Sequence, residues 1–412
     1  MSNSRLGRSF VGLCLPLCFL ASSIARSEEI PGNAFGGVRP LGMGGAFTAV
    51  ANDENSVWTN PAGIGRSRKA RTRGVLSLSK LPALIIGANA NTKDFYQAFT
   101  GAQDKSVSGV LSSASLSGNK PLWARGAVFP VSLFDFGRQS PVAFGIYSNA
   151  VVSALVESDA TNVASVNAVS DVGAVVTLGW NNPSNRLNSA IQIRPVSRYA
   201  YENRIPSANL VDRKAMSNYL RKDANKADGV GVDAGFMYTI ADFWFPTIGV
   251  SALNLPTGCK KDYLNPYTQT RQNVCGNKFQ GKFGNEDALS VLDPTDVRVG
   301  LSITPRITRS SNLRLAIDAH NLPIGTSAQS FGLQSVPFNA LIHAGVEFFS
   351  GNPLVLPEYS VRFGVNQGFI TSGFSFNLGI VALEFATYGV DVSSSAKAIE
   401  DRRYLASVAL DF

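Results

Sequence analysis

Charge is scarce in this chain. Only 16% of its 412 residues are Asp, Glu, Lys or Arg, against about a quarter in an ordinary soluble protein. The shortage does not signal disorder, because a 45% hydrophobic content is enough to build a packed structure. Long apolar runs are missing too. Beyond residue 25 nothing approaches the roughly 20 uncharged residues of a membrane-spanning helix, which excludes a helical bundle in lipid. No internal repeat is visible, so a solenoid or propeller is not expected. No linker beyond the boundary near 66–74 divides the chain.

Histidine is nearly absent, with only His320 and His343, and this narrows the chemistry. A Ser-His-Asp hydrolase needs one of them as base. Asp318 and His320 share a strand face and Ser302 could neighbour them, but a lumen or rim position for His320 fits better. His343 shares a face with Glu347, again as a lumen pair. Zinc at Cys259 and Cys275 would lack a nearby histidine. No acidic cluster resembles a calcium loop. The GMGGAF run at 42–47 fails the dinucleotide spacing, since Phe47 stands where the third glycine belongs and no βαβ pattern flanks it. No catalytic residue, cofactor or metal is expected. The formal charge is +8, spread along the chain. Its densest cluster, Arg66, Arg68, Lys69, Arg71 and Arg73, has no recognition motif beside it and reads as a solvated turn; nucleic acid is not an expected partner.

What is present starts with a leader. Arg5 and Arg8 precede an apolar stretch from Phe10 to Ala21, and Ser23-Ile24-Ala25 offers a cleavage site, so residues 1–25 read as a secretory signal peptide. Cys14 and Cys18 lie inside it without the small preceding residue of a lipid-anchor site. In an oxidising compartment the remaining Cys259 and Cys275 are expected to form a disulfide.

A Gly-rich stretch then spans 33–66. Asn52 or Asp53 can cap a short helix over Glu54 to Asn60, and Pro61 would stop it. From about residue 74 apolar and polar residues alternate, with turn chemistry between. Val230, Val232, Ala234, Phe236, Tyr238 and Ile240 share a face. So do Val297, Val299, Leu301 and Ile303; Leu313, Leu315, Ile317 and Ala319; and Tyr359, Val361, Phe363 and Val365. The opposite faces carry Gly, Ser, Asn and single charges. A period of two means strands, and this pattern suits either a lipid-facing barrel or a soluble sandwich.

Two features favour the membrane. Aromatics stand at strand ends (Trp123, Phe129, Trp180, Tyr199, Tyr201, Trp244, Phe245, Phe348, Phe349, Phe369, Tyr388), as in interfacial girdles. The chain also ends on a strand with Tyr404, Ala406, Val408, Leu410 and Phe412 on one face. In its terminal aromatic it resembles the signal by which outer-membrane barrels engage their insertion machinery. Tight turns at Gly118-Asn119 and 181–183 contrast with long loops at 91–120, 202–229 and 256–294. Short turns on one rim and long loops on the other suit a barrel. Basic loop residues such as Arg213, Lys214, Arg221, Lys222 and Lys226 read as solvated, with lipopolysaccharide as a conceivable partner.

Residues 36–65 resemble the N-terminal motif of the FadL-like outer-membrane barrel superfamily. The matching residues are Arg39, Leu41, Gly42, Met43, Gly44, Gly45, Ala46 and Phe47, then Ala51, Asn52 and Asp53, then Asn60, Pro61, Ala62 and Gly63. The stretch His343 to Gly379 is similar to late strands of the TraF-like and PorV-like members. The resemblance implies an all-β fold, a transmembrane barrel of about 14 antiparallel strands in the bacterial outer membrane. Residues 26–66 would be a plug or hatch in its lumen and 67–412 the barrel. It further implies passive uptake of a hydrophobic, fatty-acid-like molecule, gated by the hatch. The alternative is a barrel that docks a secretion or conjugation partner and carries no ligand. Strand alternation puts Arg298, Arg314, Asp318 and Arg362 in the lumen, where an arginine could meet a carboxylate head group.

Overall fold

The computed structural model describes residues 36–66 and most of 77–410. Residues 1–35, 67–76, 79–80, 93–121, 136–138, 157–162, 207–217, 220–221, 269, 282–290, 327–328, 351–357, 379–380, 393–398 and 411–412 lie outside the described residues. The expected leader, four of the five clustered basic residues, the Gly118-Asn119 turn, loop residues Arg213, Lys214 and Arg221, and Phe412 therefore fall there.

Fourteen antiparallel strands form the wall. They are β1 (Ser77–Leu78 and Leu81–Asn89), β2 (Leu122–Phe129 and Val131–Asp135), β3 (Pro141–Val156), β4 (Val163–Asn181), β5 (Leu187–Pro206), β6 (Asn225–Thr239) and β7 (Thr247–Leu253). Then come β8 (Asp296–Ile303), β9 (Ser311–Ala319), β10 (Ile342–Ser350), β11 (Tyr359–Asn366), β12 (Phe369–Asn377), β13 (Val381–Asp391) and β14 (Glu400–Leu410). Pro130, which has no N–H for the ladder, interrupts β2. Each strand pairs with the next, and β14 pairs back onto β1 from Leu81 opposite Leu410 to Asn89 opposite Arg403. The sheet closes on itself. In hydrocarbon this is the strand solution that leaves no ladder groups unpaired.

The two faces differ as the alternation predicts. Leu301 is 52% exposed and Phe363 54%, whereas the neighbouring Ser302 is 8% and Arg362 2%. In β14 the exposed residues are Glu400, Tyr404, Val408 and Leu410, and the buried ones are Asp401, Arg403, Leu405, Ser407 and Ala409. The apolar rows face outward and the polar rows inward, so the sandwich reading is set aside.

Three expectations are corrected. Of the aromatics read as girdle residues, Trp180, Trp244 and Phe245 are exposed, but Trp123, Phe129, Tyr201 and Tyr388 are 4% exposed or less. Trp123, Phe129 and Tyr388 occupy inward positions of their strands, where rings fill the lumen, whereas Tyr201 is buried on the outward side of its strand; position along a strand does not by itself choose a face. The long loop expected at 202–229 is shorter, because β5 continues to Pro206 and β6 begins at Asn225. Charges there mimic loop composition, yet a ladder standing clear of lipid tolerates them; Lys226 and Asp228 form an exposed pair at 3.5 Å. In the Gly-rich stretch the helix is a single turn, Ser56–Thr59, and the Asp53 carboxylate accepts from the Asn55 N–H at 2.9 Å just ahead of it. Pro61 opens a 3-10 helix, Pro61–Arg66, since proline fits a first helical turn whose N–H would go unused.

On the long-loop rim, segments 254–295 and 320–341 build a second sheet from Gly258–Leu264, Arg271–Lys278, Leu292–Pro294, Ile324–Thr326 and Gln329–Phe331. Cys259 and Cys275 face each other in register and are disulfide-bonded. Tyr263, Val274, Leu292 and Leu333 make its small core. The sheet is tied to the wall where Arg198 of β5 pairs with both Asp171 of β4 and Asp293 of the second sheet, each at 2.7 Å.

The outward assignment is testable. Leu301→Arg should lower unfolding stability in lipid vesicles by about 2–4 kcal/mol, measured by denaturant titration.

Candidate functional site

Glycine brings the N-terminal segment 36–66 onto the inner wall. Its chain runs through α1 (Val38–Gly42), a turn at Gly44-Gly45, α2 (Ser56–Thr59) and the 3-10 helix. Gly44 has φ +68°, and a Cβ there would lie 2.5 Å from the Val365 carbonyl and 2.6 Å from that of Ala344. Side chains rarely adopt that φ. The wall answers with glycines of its own. A Cβ at Gly345 would lie 2.3 Å from the Met43 carbonyl, at Gly364 2.5 Å from the Met43 carbonyl carbon, and at Gly249 2.4 Å from the Thr48 carbonyl. Met43, Ala46, Phe47 and Ala51 are fully buried as a result.

An irregular segment in a water-poor lumen must find partners for its backbone. Wall side chains supply them. Ser251 donates to the Thr59 carbonyl at 2.9 Å, Ser302 to Ala49 at 3.1 Å, Gln192 to Val57 at 2.7 Å and Thr371 to Gly42 at 3.1 Å. Arg125 donates to Gly36 at 2.8 Å. Asp318 accepts from the N–H groups of Phe47 and Thr48 at 2.8 and 2.7 Å. Within the segment, Asn60 donates to the Thr48 carbonyl at 2.8 Å and to Phe236 of β6 at 3.2 Å, and accepts from the Ala62 N–H at 3.1 Å. Asn60 thus ties two parts of the segment together and both to the wall. Pro61 and Gly63 lie buried in the 3-10 helix, where Gly63 packs on Ala51.

The electrostatic centre is Glu347 of β10, 1% exposed. Arg39 of α1 grips it bidentately, Nε to Oε1 at 2.8 Å and Nη2 to Oε2 at 2.7 Å. Arg362 of β11 donates to Oε1 at 2.9 Å, and Arg314 of β9 to Oε2. Arg39 also reaches Asn52 at 2.8 Å and Asp53 at 2.5 Å. Burial alone would lower the Arg39 pKa, but the carboxylates of Glu347 and Asp53 outweigh it and hold the guanidinium well above its ordinary value. Three guanidiniums thus converge on one buried carboxylate, and one of them comes from the segment.

All four lumen candidates are inward and engaged. Arg314 and Arg362 meet at Glu347, and Asp318 holds the segment's backbone. Arg298 stands apart, with its Nε donating to Asp296 at 2.7 Å. His320 and His343 stack at 4.0 Å, and His343 bonds to the Gly44 carbonyl at 2.7 Å. Ser302 spends its hydroxyl on Ala49. Among the described residues no group of His, Cys, Asp and Glu could hold a metal ion. Sequence reasoning missed Arg39's role, Glu347 as hub, and Gln192 and Ser251 as backbone anchors. The available signal was the recurrence of Gly and Ser on the polar faces.

A cavity of about 20 Å³ lies beside the segment near Trp58, room for little more than one water.

Glu347→Gln should cost about 3–5 kcal/mol, because it leaves buried guanidiniums without their carboxylate. Limited proteolysis should then cut within 36–66 under conditions where the parent chain resists.

No protein-family model and no curated protein sequence matches the chain. Solved structures do. A TodX monoaromatic hydrocarbon channel lacking S2 and S3 superposes with a TM-score of 0.54 at 10% identity, covering 91% of this chain and 99% of its own. The variant lacking S2 alone gives 0.51 at 9%, covering 92% and 99%. The toluene transporter TodX of P. putida gives 0.49 at 11%, covering 90% and 97%. The identities are too low to transfer function, but the first two correspondences extend over nearly the whole of both chains. The chain shares the fold of these TodX channels, a closed fourteen-stranded antiparallel barrel.

Proposed function

We propose that this protein sits in the bacterial outer membrane as a channel for passive entry of hydrophobic small molecules, with residues 26–66 as its hatch. The observation that carries the reading is the fold correspondence with monoaromatic hydrocarbon channels over nine-tenths of the chain. The lumen geometry supports it. The segment is held by ion pairs and hydrogen bonds of side chains, which can exchange partners without breaking the wall's ladder. Transport is binding and displacement; no bond is made or broken. Of the arginines first considered for a substrate head group, Arg314 and Arg362 are committed to Glu347 and so serve the hatch while it is closed, and Arg298 is committed to Asp296. The partners this implies are outer-membrane lipid and lipopolysaccharide, the barrel-insertion machinery acting on β14, and the permeant itself. The docking alternative has no counterpart among the similar structures named above.

Cells with an intact lipopolysaccharide leaflet provide the test, since that leaflet is the barrier to hydrocarbons. Expression of the folded barrel should raise the initial rate of toluene entry severalfold over cells lacking it. Equal rates, with heat-modifiable migration showing a folded barrel, would remove the uptake function.

A further inference from the structure

Three neighbouring turns of the short-turn rim carry a contiguous apolar patch. They are residues 182–186 between β4 and β5, 240–246 between β6 and β7, and 304–310 between β8 and β9. Backbone bonds join them: the Thr239 N–H donates to the Arg186 carbonyl at 2.8 Å, and the Thr304 N–H to the Trp244 carbonyl at 2.6 Å. In the middle turn Phe243 is 72% exposed, and Trp244, Phe245 and the nearby Ile307 are exposed as well. Phe243 stacks on Trp244 at 4.7 Å and 21°. A grouped apolar surface of this kind marks a place where something other than water sits. The backbone is unusual at the same point. Trp244 has φ +58° and Phe245 +47°, the left-handed region that bulky side chains rarely adopt. The bond from Thr304 to Trp244, and one from the Ile240 N–H to the Pro246 carbonyl at 2.8 Å, hold the turn there. Such strain persists where the surroundings impose it, and it gathers at binding surfaces.

Two features say what covers the rings. The patch continues the outward apolar rows. Phe236 and Tyr238 of β6, then Ile240, lead into it, and Trp180 of β4 runs beside them; Ser189 of β5 stands in register between Trp180 and Phe236. That continuity favours lipid over a water-soluble partner. The charge beyond the rings is also one-sided. The three turns contain Arg186, Arg306 and Arg309 and a single acid, Asp242, which Arg186 already holds at 2.6 Å. Arg306 and Arg309 are exposed. Their turn is fixed by its own bonds, Arg306 Nη2 to the Arg309 carbonyl at 3.0 Å, and the Thr308 hydroxyl accepting from the Ser310 and Ser311 N–H groups at 3.2 and 3.0 Å. Rings at the end of a lipid-facing row, with arginines just past them, match an acyl chain with a phosphate at its head.

We propose that this rim is a binding site for an anionic phospholipid of the periplasmic leaflet. Short turns face the periplasm, where the leaflet is phospholipid rather than lipopolysaccharide. The acyl chains lie along the row of Phe236, Tyr238 and Ile240, and Arg306 and Arg309 take the phosphate. With the only acid of the three turns already paired, the two arginines favour a headgroup that leaves the phosphate's charge uncancelled. The site follows from the membrane position of the barrel and is independent of what the barrel transports.

The test uses the full barrel in phosphatidylcholine vesicles that contain a small share of bromine-labelled lipid, which quenches an indole it touches. The Trp244 signal is the part of the fluorescence lost in Trp244→Phe. At equal share, brominated phosphatidylglycerol should quench that signal about fivefold more than brominated phosphatidylcholine, the enrichment that one arginine near an anionic surface gives. The double substitution Arg306→Gln and Arg309→Gln, with heat-modifiable migration unchanged, should remove the preference and leave the quenching by bulk lipid. Equal quenching by the two lipids in the parent chain would overturn the headgroup site and leave an ordinary aromatic girdle. A preference that survives the double substitution would overturn the two arginines as its source. No quenching of Trp244 by either lipid would overturn the proposal outright, because the rings would then meet water, a glycan or a protein. Each of these outcomes is separate from toluene entry, which reads passage through the lumen.

Discussion

Everything in this molecule depends on where backbone N–H and C=O groups find partners when water is absent. Outside, lipid offers none, so the sheet must close, and the β1–β14 seam closes it. Inside, the segment 36–66 is irregular and makes few ladder bonds, so the wall's inward side chains serve its carbonyls and amides one by one. The same rule therefore explains the regular wall and its irregular filling. It also explains why inward positions carry Ser, Gln, Thr and Asp rather than a uniform apolar or charged lining.

Charge follows a related logic. A buried ion costs several kcal/mol to desolvate unless it is paired and hydrogen-bonded. Several of the lumen's arginines have a carboxylate: Arg194 with Asp233, Arg198 with Asp171 and Asp293, Arg298 with Asp296. Glu347 is the exception in number, shared by three arginines from two neighbouring strands and the segment. A shared acid can keep two partners when the third leaves. That separates Glu347 from Asp233 and Asp296, each paired with a single arginine.

Much of the wall was legible in the sequence. The rows at 297–303, 313–319 and 359–365 fall on strands with the expected faces, because a period of two maps directly onto inside and outside. Cys259 and Cys275 were readable because no other pair remained after the leader. Less legible was what depends on three-dimensional neighbours. Trp123 and Tyr388 stand at strand ends like girdle residues, yet their rings meet inside, at 6.5 Å. The strand extensions at 202–206 and 225–229 hide behind charges that are harmless above the bilayer. Arg298, Arg314, Asp318 and Arg362 were legible as inward, but their partners were not. Glu347 and Arg39 are 308 residues apart, and nothing local signals that separation.

The central claim is that the alternating apolar rows meet lipid. Spin labels placed singly at residues 299–303 of β8 in reconstituted vesicles test it, through their collision rates with oxygen and with a water-soluble nickel complex. Oxygen accessibility should peak at 299, 301 and 303 and fall at 300 and 302, with the nickel complex excluded from all three peaks. Free access of the nickel complex to 299, 301 and 303 would contradict the account, because those side chains would then face water.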